Sequence, residues 1–123
     1  MWSDTQCRVV LVKDPDYPGF CRVIWNAHVR EMTDLDSAGR KHCMRVVWAV
    51  ERALLRVLKP HKINVASLGN MTPHVHWHVI PRFVDDAHFP NPVWGERQRA
   101  RAPALAASRR TRHLLAAELL NLL

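Results

Sequence analysis

The run His74-Val75-His76-Trp77-His78-Val79-Ile80 constrains the folding of this chain more than any other stretch. Histidines recur at every second position between apolar residues, and an extended strand turns that period into geometry, because alternate side chains leave a strand on opposite faces. Val75, Trp77 and Val79 then point into a core, while His74, His76 and His78 form a row on the other face. A lone strand histidine is usually a hydrogen-bonded structural residue. Three at this spacing are not explained by packing, since each partly buried imidazole needs polar partners.

At 123 residues the chain suits one domain that buries roughly two-thirds of its unfolded surface, so no metal or disulfide is needed to explain folding. Cys7, Cys21 and Cys43 are odd in number and lie in apolar-patterned segments, which reads as reduced thiols. The opening Met1-Trp2-Ser3-Asp4-Thr5 lacks a charged start followed by an apolar run, and no apolar stretch is long enough to cross a bilayer. A cytoplasmic protein without a membrane partner is therefore expected. The net charge of +7 suggests nucleic acid at first sight, but six arginines after Gly95, set against Glu96 and Glu118, leave +4 of it in that final segment. The mildly basic remainder suits phosphate-bearing small molecules, and nucleic acid is not an expected partner.

Strand and helix patterns alternate along the chain. Residues 7–12 (CRVVLV) and 20–25 (FCRVIW) flank the turn-rich Lys13-Asp14-Pro15-Asp16-Tyr17-Pro18-Gly19 and read as a hairpin with a long loop. After the N-cap oxygens of residues 33–37, Met44, Val47, Val50, Leu54, Val57 and Leu58 follow at helical spacing up to Lys59-Pro60. Residues 63–68 and 74–80 form two more strand-like runs, joined by Gly69-Asn70-Met71-Thr72-Pro73, with Pro81 expected to end the last strand. A Pro-rich connector, residues 90–95, leads to an amphipathic helix or arm over residues 104–123, with Leu105, Leu115, Leu119 and Leu122 as its apolar stripe. The division expected is a domain over residues 1–95 and an Arg/Ala-rich C-terminal extension over 96–123.

Two chemistries compete for the histidine row. Imidazole is a common zinc ligand, but same-face strand residues lie about 6.7 Å apart, so the outer rings sit roughly 13 Å apart at Cα. A shared ion would need a further ligand such as His28 or His88, and no compact Asp, Glu or Cys spacing supplies one. Nucleophilic catalysis on phosphorus uses the row better, with the middle imidazole attacking and its neighbours meeting phosphate oxygens.

The pattern His-φ-His-φ-His-φ-φ, with φ apolar and Pro81-Arg82 following, resembles the histidine-triad (HIT) family. So does the element order from about Cys7 to Trp94, and residues 85–94 look like the tail of a bacterial branch. The resemblance implies an α+β domain with an antiparallel sheet of about five strands, one long helix, and a homodimer. It implies cleavage of nucleoside phosphoramidates or dinucleoside polyphosphates at the α-phosphate, with a purine nucleotide or nucleotide conjugate as partner. No cofactor is required, although a divalent cation can accompany a polyphosphate. His76 would form the covalent nucleotidyl intermediate, its other nitrogen donating to a main-chain carbonyl; His78 would meet the phosphate and leaving atom, and His74 would orient the row. Asn70, Thr72 and Trp94 are the further substrate-contact candidates, and Asp14 with Lys13 stands where the family holds ribose. Trp25 and Trp48 are expected in the core, and Arg82 at the surface, where it could steer phosphate.

Two positions depart from the family. Phe20 stands where many members carry a fourth histidine, leaving His28 as the nearest substitute in sequence, and Met71 replaces a loop hydroxyl. These departures keep open a nucleotide-binding regulator with weak or no catalysis, beside the metal-binding module.

Overall fold

The structure is a computed structural model that describes residues 1–100 and 109–123. Strands β1 (Trp2–Ser3), β2 (Cys7–Leu11), β3 (Cys21–Trp25), β4 (Lys62–Ala66) and β5 (His76–Arg82) form one antiparallel sheet in the order β1-β2-β3-β5-β4. Helix α1 (Ser37–Leu58) connects β3 to β4, and α2 (Arg109–Leu122) ends the chain. This is the α+β architecture that the resemblance implies, with the triad strand between its neighbours β3 and β4.

Period-two alternation sorts the sheet into two faces. Val9, Val23 and Trp77 share one cross-strand row, while Arg8, Ile24 and His76 share a neighbouring row of opposite facing. Helix α1 covers the first face, where Cys43, Val46, Val47, Val50, Ala53 and Leu54 pack with Cys7, Val9, Val23 and Val79 in one core. At its start the Asp36 carboxylate accepts from the Gly39 amide at 2.7 Å, satisfying a donor that the helix leaves unpaired. It stops at Lys59, which adopts φ 49°, just before Pro60. The three cysteines are buried and unbridged.

Helix α2 docks on α1. Leu115 and Leu119 are buried in the shared core, and Arg56 pairs with Glu118 at 3.0 Å. The expected start of this helix at 104, with Leu105, lies outside the described residues, as does Arg101. No helix among the described residues is long and apolar enough to cross a membrane.

The structure corrects several expectations. Strand β5 begins at His76 rather than His74, because the His74 amide bonds to the Thr72 carbonyl and the Val75 amide to the Val29 carbonyl, each at 2.8 Å, outside the ladder. It runs through Pro81 to Arg82. Pairing with β3 ends at Val79, so at Pro81 the strand keeps only β4 as neighbour and the missing N–H interrupts no central ladder. Trp25 is buried as expected, but Trp48 is 60 % exposed, since it sits roughly 200° around the helix from the buried Val46. In the hairpin loop, Gly19 takes φ 90°, where a Cβ would stand 2.4 Å from Leu58 Cδ1, so only glycine lets the loop close against α1.

Arg82 is a buried residue and not a surface one. Its Nε and Nη2 grip the Asp86 carboxylate at 2.7 and 3.0 Å, while Nη1 donates to Asn64 Oδ1 and Nη2 to the Asn91 carbonyl, both at 2.7 Å. Its guanidinium also lies over the Tyr17 and Phe89 rings. The Tyr17 hydroxyl contacts His88 Nδ1, and Arg99 donates to the carbonyls of Asp86 and Phe89. This hub folds the irregular segment after β5 back over the sheet and brings Trp94 onto its histidine face.

Candidate active site

The triad is held by backbone. His76 Nδ1 lies 2.6 Å from the His74 carbonyl oxygen. A carbonyl oxygen only accepts, so Nδ1 carries the ring proton and the other nitrogen, Nε2, keeps its lone pair, as a nucleophile requires. His74 Nε2 in turn donates to the Trp25 carbonyl at 2.5 Å, which locks the turn that presents His76. With that proton placed, His74 Nδ1 is an acceptor, and His28 Nδ1 stands 3.3 Å from it as the donor. The nearest histidine in sequence therefore joins the triad, but at His74.

His78 occupies a different environment. It is 5 % exposed, and its Nδ1 is buried without a hydrogen-bond partner among the described residues. Phe20 meets its ring edge-on with centroids 5.7 Å apart, and His76 and Trp94 make edge contacts at 5.0 Å. A phenyl ring at residue 20 offers His78 no hydrogen bond. Burial, followed by the charges of His76 and Arg22, pushes the His78 pKa down to about 4. At neutral pH His78 thus offers a hydrogen bond to a phosphate oxygen and no formal charge.

All three histidines line a cavity of about 740 Å³, the size of a small-molecule site. Asn70, Thr72 and Trp94 line it too. Met71 also borders it, with its side chain 97 % exposed. Lys13 and Asp14 are not part of the lining: Asp14 Oδ1 accepts from the Asp16 amide at 2.9 Å and closes its own turn. Arg8, Arg22, Ile24 and His28 also form part of the wall. The two arginines escaped the sequence reading, although each is a polar member of a strand alternation, in CRVVL and CRVIW. Among the described residues, no group of three or more His, Cys, Asp or Glu side chains is placed to hold a metal ion.

A family model described as the HIT domain matches residues 1–85. The chain belongs to the HIT family. A histidine triad protein from Bradyrhizobium japonicum shares the HIT fold at a TM-score of 0.76 and 32 % identity, covering 97 % of this chain and 85 % of that one. A second, from Marinobacter aquaeolei, superposes at 0.75 with 27 % identity over 98 % of this chain and 85 % of its own. A Mycobacterium tuberculosis protein named AP-4-A phosphorylase is 32 % identical over 110 residues, 85 % of this chain. The chain spans about half the length of that curated relative, 54 %.

Proposed function

We propose that this HIT domain cleaves a nucleoside phosphoramidate or a dinucleoside polyphosphate at the α-phosphate through a nucleotidyl-His76 intermediate. The observation that carries this reading is the 2.6 Å bond from His76 Nδ1 to the His74 carbonyl, which leaves the Nε2 lone pair free in a cavity of nucleotide size. In the first step Nε2 bonds to phosphorus and the bond to the leaving group breaks, the leaving group taking its electron pair and a proton from solvent. Water then attacks phosphorus, releases the nucleoside monophosphate, restores the lone pair and gives its proton to solvent. Main-chain and side-chain donors around Asn70 and Thr72, with His78, supply hydrogen bonds to the phosphate oxygens. Trp94 closes the site and offers a ring face to a purine base. Neither Lys13 nor Asp14 lines the cavity, so a ribose contact from that turn is a proposal resting on the family alone. The reaction needs no cofactor, and a divalent cation enters with a polyphosphate as part of the substrate.

The name of the curated relative favours a second acceptor, inorganic phosphate in place of water, which would yield a nucleoside diphosphate. The homodimer and the cytoplasmic setting belong to the same proposal, and sedimentation of the purified chain tests the dimer. The deciding experiment incubates the protein with labelled adenosine phosphoramidate or diadenosine tetraphosphate, with and without inorganic phosphate, and quenches it to trap an acid-labile adduct. Turnover with an adduct absent from His76→Ala supports the enzyme, and the product identifies the acceptor. Nucleotide binding without turnover or adduct would turn the reading to the regulatory alternative.

A further inference from the structure

We propose that the cavity takes a substrate carrying a second anionic group, apart from the phosphoryl group that His76 attacks, and that Arg22 and Arg8 hold it. The inference rests on the reading of the site as a nucleotide site and adds what the substrate must carry. Arg22 is the direct cross-strand partner of His78, and Arg8 is that of Ile24, itself opposite His76. Two strand spacings put the Arg8 Cα about 10 Å from that of His76, within reach of a long guanidinium side chain and an extended anion. Both arginines line the cavity.

Their place on the cavity wall sets them apart from the other described arginines. Arg82, Arg56, Arg97 and Arg30 each pair with a carboxylate, whereas among the described residues neither Arg8 nor Arg22 has one. The side-chain hydrogen bond of Arg8 goes to the neutral Asn26 Oδ1 at 2.9 Å. Among the described residues, no Asp, Glu or Lys lines the cavity. With His78 held neutral, the fixed positive charge on the wall comes from these two residues. Two like charges facing one cavity without a counter-ion repel each other, and an anion between them reverses the sign of that interaction. Guanidinium groups match phosphate and carboxylate in geometry as well as charge. The pair stands beside the reacting histidines within one cavity of small-molecule size, which favours a compact ligand over a polymer.

The test measures equilibrium binding of adenosine mono-, di- and triphosphate, and of an adenosine bisphosphate with phosphates at both ribose positions. The proteins are the parent chain, Arg22→Gln, Arg8→Gln and the double variant. The parent should bind one of the multiply charged ligands about tenfold more tightly than the monophosphate. The double variant should lose most of that gain, and added salt should erode it. If the di- and triphosphate show the gain, the second group lies along the polyphosphate; if the bisphosphate shows it, the group lies on the sugar. Equal affinity across the panel, or a gain that survives in the double variant, would overturn the inference. Inorganic pyrophosphate against inorganic phosphate separates it from the parent reading: loss of all nucleotide binding with an arginine-dependent preference for pyrophosphate would sink the nucleotide assignment and leave the anion site standing.

Discussion

Removing the Asp86 carboxylate strikes the hub that holds Trp94 over the triad. Asp86 and Arg82 are 5 % and 2 % exposed. The carboxylate accepts two bonds from Arg82, at 2.7 and 3.0 Å, and further bonds from the amides of Phe83, His88 and Phe89 at 3.1, 3.2 and 2.7 Å. Asp86→Ala leaves a buried guanidinium with only the neutral oxygens of Asn64 and Asn91. Breaking such a pair from one side costs about 3–5 kcal/mol, a large share of the roughly 5–15 kcal/mol that holds a small domain together. Removing both charges in Arg82→Met/Asp86→Leu leaves no stranded ion, so the loss should be smaller than in the single variant, the remainder coming from the Phe83, His88 and Phe89 amides that lose their acceptor. Urea unfolding followed by circular dichroism gives both values from the midpoints, provided the slopes agree. Burial alone would raise the Asp86 pKa, but Arg82 and the Phe83 and Phe89 amides hold it below the usual carboxylate value. Its stabilisation is therefore complete above about pH 4 and fades as pH falls through the lower folded value. Asp86→Ala should lack that acid-side slope. A single variant that loses less than about 1 kcal/mol, or a double variant that loses as much as the single, would refute the account of this hub.

The remaining predictions concern the histidines. Because the folded state lowers the His78 pKa from 6.5 to about 4, the unfolded chain binds the extra proton between those values. Stability from this residue should be complete above pH 6.5 and decline by roughly 3 kcal/mol as the pH falls to 4, and His78→Gln should flatten that part of a denaturation-versus-pH curve. Phe20→His places a hydrogen-bonding ring against the bare Nδ1, so proton NMR should show the His78 pKa rise toward 6.5; an unchanged value would mean that residue 20 does not govern it. His28→Ala should lower kcat by about threefold to tenfold, the worth of one partly exposed hydrogen bond, with KM little changed, and an unaltered kcat would remove His28 from the orientation of His74.

Local rules carry a large part of this molecule. The triad strand, the hairpin and the capped helix α1 follow from period-two alternation, turn residues and a 3.6-residue stripe, each a property of a few neighbouring residues. His76 could be singled out as the proposed nucleophile from its place in the motif, and the carbonyl beside its Nδ1 lies only two residues away. Contacts between distant segments were not legible in this way. The pairing of β3 with β5 sets Arg22 opposite His78, turning an unremarkable strand arginine into a wall of the cavity, and the residue just before β3, Phe20, lays its ring edge-on to His78. Arg82 looked like a surface cation until Asp86, Asn64 and Asn91 closed around it, and Trp48 looked like core until the helix turned it outward. The reason is physical: periodicity determines which face of an element is apolar, but strand register and the path of irregular loops decide which side chains meet across it, and those meetings set the charge, tautomer and shape of the site.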